Sequence, residues 1–161
     1  MTQSLSHLRA EVADAPRADL VVSPQTPEDV AKVLRHASAK SLNVQVWGGG
    51  TRSGYGDPAP PDIVMTMDRL SDVEVWEPDD LTVVLGAGAR VEDVESMLAE
   101  RNQTAVLPES AGRSTVGGVL AAGASSLRRG RLYGTRERVL EVTLVTGDGR
   151  IVRAGGRVVK N

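Results

Sequence analysis

Apolar and polar positions along this chain alternate with two different periods, and the switches between them mark the elements. Residues 18–23 form a short apolar run that predicts a strand. In SPQTPEDVAKVLRHASAK, Val30, Val33, Leu34 and Ala37 recur at helical spacing. Thr26 stands ahead of them as N-cap, Pro27 in the first turn, and Glu28 and Asp29 near the positive end of the helix. Residues 43–47 read as a buried strand that Gly48-Gly49-Gly50-Thr51-Arg52-Ser53-Gly54 ends abruptly. Residues 62–67, 73–77 and 81–85 read as three further strands, with Pro78-Asp79-Asp80 turning between the last two. A second helix over 90–100 carries Val91, Val94, Met97 and Leu98 on one face, and a short helix is predicted near 117–124. Strands 139–146 and 151–154 flank Gly147-Asp148-Gly149, a hairpin. The order β-α-β-β-β-β-α, loop, β-β favours an α+β domain with mixed sheets over a doubly wound parallel one.

Composition narrows the chemistry. In 161 residues there are 19 Lys and Arg against 21 Asp and Glu, a net charge of -2, so a strongly basic nucleic-acid binder is excluded. Hydrophobic residues make up 40% and charged residues 25%, values that exclude disorder throughout the chain. With no Cys there are no disulfides, thiolate metal sites, cysteine nucleophiles or iron–sulfur ligands, as in a reducing compartment, and no metal is expected. Two His leave little for metal hydrolysis; neither His7 nor His36 has a nearby acid, and no catalytic residue is assigned. The first 20 residues lack the basic start and apolar core of a signal peptide, and no stretch reaches the ~18 apolar residues of a membrane helix, so a cytoplasmic protein is expected. Phe is absent while Gly numbers 17, which raises the question of what approaches the backbone so closely.

Two glycine-rich segments answer it. Three consecutive glycines after a strand, followed by Thr51, Arg52 and Ser53, can turn several backbone N–H groups toward one centre and form an anion nest. Without Cβ atoms a phosphate can reach the backbone, and the hydroxyls of Thr51 and Ser53 add donors. Further along, residues 107–123 (LPESAGRSTVGGVLAAG) form a second wall of small residues. Together they suit a phosphate-bearing cofactor. Gly86-Ala87-Gly88-Ala89-Arg90-Val91 imitates a dinucleotide fingerprint, but its sixth position is Val91 and no obvious parallel strand with its acidic residue follows about 20 residues on, so it reads as a strand-to-helix turn. No G-x-x-x-x-G-K-S/T occurs.

The combination of W-G-G-G-T-R-S-G, S-T-V-G-G-V-L-A-A-G and Y-G-T-R-E-R-V-L-E-V-T-L-V-T-G-D-G resembles the FAD-binding domain of the vanillyl-alcohol oxidase/p-cresol methylhydroxylase (PCMH) flavoproteins. The ending G-D-G-R-I-V-R-A-G-G-R-V-V-K-N is similar to the E subunits of glycolate oxidases. The resemblance implies an α+β, PCMH-like FAD-binding domain over residues 18–161, with two small mixed β-sheets flanked by helices and a C-terminally incomplete fold, preceded by an extension over 1–17. It assigns Gly48, Gly49, Gly50, Thr51, Arg52 and Ser53 to the first cofactor loop, and Pro108, Ser114, Thr115, Gly117, Gly118 and Ala121 to the second. Many relatives bind the flavin covalently through a His in the first loop; Thr51 and Arg52 stand there here, which implies non-covalent FAD. The implied activity is oxidation of a small-molecule 2-hydroxy acid. A second flavoprotein subunit and an iron–sulfur subunit are the implied partners, through which the protein would reach the inner membrane.

Rival readings are a D-lactate dehydrogenase or sugar-alcohol oxidase relative, and a non-catalytic assembly subunit of such a complex. Arg128, Arg129, Arg131, Arg136 and Arg138 read as a solvated face. Trp47 and Trp76 read as packing residues.

Overall fold

The computed structural model describes residues 3–56, 59–108 and 112–157. Residues 109–111 of the second glycine-rich segment and 158–161 of the chain's ending lie outside them. The chain divides into two units. The first takes Met1–Trp47, Gly54–Arg69 and Leu140–Asn161; the second takes Gly48–Ser53 and Leu70–Val139.

In the first unit, β1 (Leu20–Val22), β2 (Val44–Trp47) and β3 (Ile63–Thr66) form a parallel sheet in the order β1-β3-β2. All four residues of the central strand β3 are buried, as expected for a parallel strand covered on both faces. The helix α1 (Pro27–Ala39) starts as the sequence predicts: Thr26 accepts a hydrogen bond from the Asp29 N–H at 3.2 Å, and Val30, Ala31, Val33 and Ala37 are buried. β6 (Glu141–Val145) and β7 (Ile151–Gly155) close the expected hairpin, and α1 packs on it. The Arg35 guanidinium donates to the Gly149 carbonyl at 2.8 Å. Gly149 has φ +78° and donates to Thr146 at 2.8 Å, which the Asp-Gly turn needs in order to close on three residues.

Residues 3–10 belong to the first unit and pack against its sheet. A 3-10 helix over Gln3–Leu8 buries Leu5 and Leu8, and the following turn runs antiparallel to the free edge of β1. Leu8 accepts from the Ser23 N–H at 2.7 Å, and Ala10 donates to Val21 at 3.0 Å. Hydrophobic periodicity did not mark this piece because a six-residue 3-10 helix, two turns, is too short for a repeating pattern. A half-buried polar cluster ends the sheet: the hydroxyls of Ser23 and Thr66, both buried, each donate to Oδ1 of the exposed Asp68 at 2.6 Å.

In the second unit, β4 (Val73–Glu77) and β5 (Thr82–Leu85) form an antiparallel pair, followed by α2 (Val91–Ala99), α3 (Val116–Ala121) and α4 (Arg129–Leu132). Ala89, Val94 and Leu98 make the core, with Trp76, Leu85, Met97, Ala105 and Val116 packed around them. The apolar face of α2 is therefore the one its spacing predicts. The two mixed sheets are a correction: among the described residues there are three sheets, one all-parallel and two antiparallel hairpins. Each hairpin is closed by its own turn, whereas β1, β2 and β3 meet through crossovers, and such pairing is not encoded in strand periodicity. Leu81, at the β4–β5 turn, has φ +55° with its side chain exposed. Leu81→Asn is expected to raise stability by roughly 0.5–1 kcal/mol, because Asn tolerates this conformation better and no burial is lost. A higher denaturant midpoint with unchanged slope would bear this out, and a lower midpoint would contradict it.

Candidate functional site

The loop 48–53 and the segment 112–121 meet within the second unit, and glycines make that meeting possible. A Cβ on Gly49 would stand 1.5 Å from the carbonyl oxygen of Arg113, and one on Gly48 would stand 2.5 Å from Thr115 Oγ1. The space these two glycines leave open is thus filled by the second segment's backbone and a threonine side chain. This corrects the reading of Gly49 as open space for a phosphate: its missing side chain admits the Arg113 backbone. The loop is then tied at two more points. Thr51 Oγ1 and Ser114 Oγ lie 3.0 Å apart, and Gly50, with φ +70°, accepts from both the N–H and the hydroxyl of Ser53 at 3.3 and 2.9 Å.

What the loop keeps free matters more. Among the described residues, no acceptor is bonded to the backbone N–H of Gly48, Gly49, Gly50, Thr51 or Arg52. The same holds for the N–H groups of Ser114 and Thr115, residues only 2% and 7% exposed. Leaving a buried donor without a partner costs about 1–3 kcal/mol, which applies to Ser114 and Thr115; the partly exposed N–H groups of residues 48–52 beside them make a nest that suits a ligand rich in anionic oxygens.

The first turn of α3 is different. Its N–H groups are already used: Val116 donates to Ala89 and Gly117 to Ala87, each at 2.8 Å, while the Thr115 side chain caps Gly118 at 3.2 Å. Gly117 itself packs on the 86–90 turn, since a Cβ there would meet Ala87 at 2.8 Å. Gly86 is explained the same way: its Cβ would lie 2.1 Å from the Leu70 carbonyl oxygen, and Gly88 donates to that carbonyl at 2.7 Å. The G-A-G-A turn is therefore a packing device, consistent with the sequence reading.

Of the twelve residues singled out, the structure brings Gly48, Gly49, Gly50, Thr51, Arg52 and Ser53 together with Ser114 and Thr115. Gly117 and Gly118 lie on α3 with their amides spent, Ala121 is exposed at its last position, and Pro108 is buried. Among the described residues, no hydrogen bond joins Pro108 or Ala121 to the loop 48–53. The arginines of α4 and the turn Arg136–Arg138 are exposed, with Arg138 donating to the Leu132 carbonyl. Trp47 is buried and Trp76 packs on the core, as expected.

Residues 18–155 match the FAD binding domain family. The chain belongs to this family. FAD is accordingly its cofactor, and the PCMH-type fold expected from the sequence stands. Over 152 residues the chain is 34% identical to a D-lactate dehydrogenase of Archaeoglobus fulgidus, a match that covers 91% of this chain and 34% of the relative. Over 145 residues it is 32% identical to a D-2-hydroxyglutarate dehydrogenase of Xanthomonas citri pv. viticola, covering 88% and 30%. Thus the chain spans about a third of the length of these relatives. Among solved structures, 6-hydroxy-D-nicotine oxidase from Arthrobacter nicotinovorans superposes with a TM-score of 0.72 at 18% identity, over 95% of this chain and 34% of that one. A variant of Physcomitrella patens BBE-like 1 gives 0.74 at 19%, over 97% and 34%. At these identities the structural likeness concerns the fold. Among the described residues of this FAD-binding chain, no helix is long and apolar enough to cross a membrane.

Proposed function

We propose that this chain is the FAD-holding part of a flavoprotein oxidoreductase that oxidises a small 2-hydroxy acid. The observation that carries the cofactor half of this reading is the run of unspent N–H groups over residues 48–52, beside the buried amides of Ser114 and Thr115. These donors would hold the diphosphate, and Thr51 and Ser114 would add a hydroxyl. When bound, FAD supplies the two-electron acceptor that conversion of a 2-hydroxy to a 2-oxo acid requires. The chain's own contribution is to bind and orient it. Pro108, Gly117, Gly118 and Ala121 would serve that site by shaping the segment behind the donors. Residues 1–17 would be an extension, in which Leu8, Arg9 and Ala10 pair with the edge of β1, and 18–161 the cofactor domain.

The substrate class is supported by the D-lactate and D-2-hydroxyglutarate dehydrogenases among the relatives. Glycolate is the narrower version of the same reading. With it would come a second flavoprotein subunit, an iron–sulfur subunit, and a place beside the membrane reached through them. The sugar-alcohol oxidase and assembly-subunit readings make opposite predictions in one experiment. The intact protein is purified, its visible spectrum recorded, and glycolate, D-lactate, D-2-hydroxyglutarate and a sugar alcohol are added without oxygen. The expected result is a flavin spectrum that a 2-hydroxy acid bleaches. Bleaching by the sugar alcohol alone would reject the substrate class, and folded, colourless protein that takes up no FAD would reject the reading altogether. Acid precipitation is expected to leave the flavin in the supernatant; flavin in the pellet would contradict non-covalent binding.

A further inference from the structure

We infer that Thr51 and Ser114 act as one unit: a latch that positions the first loop and offers a single hydroxyl donor to the cofactor's diphosphate. This rests on the reading that the 48–53 loop holds FAD. The two residues are 63 positions apart in sequence, and their hydroxyl oxygens lie 3.0 Å from each other. Each hydroxyl has one proton. One proton is spent between the oxygens, in either direction, and one remains for a ligand. Ser114 is 2% exposed and its segment is fixed from behind, because its carbonyl accepts from the Val91 N–H at 2.9 Å. Thr51 is exposed, at the tip of a loop that has no regular secondary structure. Ser114 is thus the anchor and Thr51 the part held. Glycines alone would not hold the tip, since Gly48 and Gly49 fix only the loop's beginning against 113–115.

A loop held in its binding form loses less entropy when the ligand arrives, so the latch adds affinity for the phosphates without contacting the flavin ring. Both residues position the loop in this account, and whichever keeps its proton also donates to the diphosphate. The test is a double-mutant cycle in the intact protein with Thr51→Val, Ser114→Ala and the pair, titrated with FAD, ADP and riboflavin. Each single change is expected to weaken FAD and ADP by roughly five- to tenfold, the size of one net hydrogen bond. The pair should bind more weakly than either single change, since it alone lacks both hydroxyls, but by less than the product of the two losses; riboflavin affinity should stay at the wild-type value, and Thr51→Ser should bind FAD and ADP as wild type does. Losses that multiply in the pair would overturn the inference, because the hydroxyls would then act independently. Equal losses for riboflavin would also overturn it, since they mark a general loosening of the site. The melting temperatures of the ligand-free proteins keep the two readings apart. Coupling between Thr51 and Ser114 in those melting temperatures, with no FAD or ADP binding by the wild type, would reject both the cofactor loop and the latch's role toward the diphosphate.

Discussion

Protein carrying Gly49→Ala is expected to lose FAD and a large part of its stability together. The added methyl would stand 1.5 Å from the Arg113 carbonyl oxygen and 2.4 Å from its carbon, backbone atoms that cannot rotate away. Nor can the 113–116 segment retreat, because Ser114 and Val116 are both bonded to the turn leading into α2, at 2.9 and 2.8 Å. Overpacking costs roughly 1–3 kcal/mol and occasionally more, and this site belongs at the upper end. Gly54→Ala is the control: a Cβ there meets nothing within 4 Å, so its melting temperature and FAD affinity should match wild type. Thermal melts and flavin fluorescence quenching would measure both. If Gly49→Ala melted with the wild type and lost only FAD, the glycine would be serving ligand approach and the packing argument would fall.

Asp68→Ala should have the next largest effect, on the first unit. It removes the acceptor shared by the hydroxyls of Ser23 and Thr66, which are 1% and 2% exposed. Two hydrogen bonds to a carboxylate in the sheet's end, discounted because Asp68 itself faces solvent, amount to about 2–3 kcal/mol. The same carboxylate gives a pH signature. Partial burial pushes its pKa up, but the hydrogen bonds from Ser23, Thr66 and the backbone N–H groups of Asp68 and Arg69 together hold it below its ordinary value of 3.8. A depressed carboxyl pKa means that the unfolded chain takes up the proton first. The stabilisation is therefore complete above the ordinary value and is lost as pH falls through the lower, folded one. Wild type should lose stability more steeply than Asp68→Ala in that acid range. Parallel pH profiles for the two proteins would contradict the assignment.

Much of the architecture was written in local pattern. Thr26-Pro27 with the Val30, Val33, Ala37 face placed α1, and Val91, Val94 and Leu98 placed α2 against its core. The Asp-Gly turn placed the β6–β7 hairpin. Strand partners were not legible, because β1 and β2 both pair with β3 across intervening chain, and periodicity says which face is buried without saying which neighbour lies alongside. The site was legible by composition and misleading by mechanism. Glycine runs announced close approach, yet a glycine cannot say whether a ligand or another strand approaches; at Gly48, Gly49, Gly86 and Gly117 it is the protein. Gly117 and Gly118, which the resemblance assigns to the second cofactor loop, have their amides bonded to Ala87 and Thr115. Asp68 gave no signal at all, since a lone Asp after a strand has no pattern.

The most direct test of the central claim, that the N–H run over residues 48–52 receives the cofactor's diphosphate, is amide hydrogen exchange of the intact protein with and without FAD. The account predicts that exchange at Gly48, Gly49, Gly50, Thr51 and Arg52 slows when FAD binds, and that ADP slows the same amides. FAD that binds while those five amides exchange at an unchanged rate would contradict it.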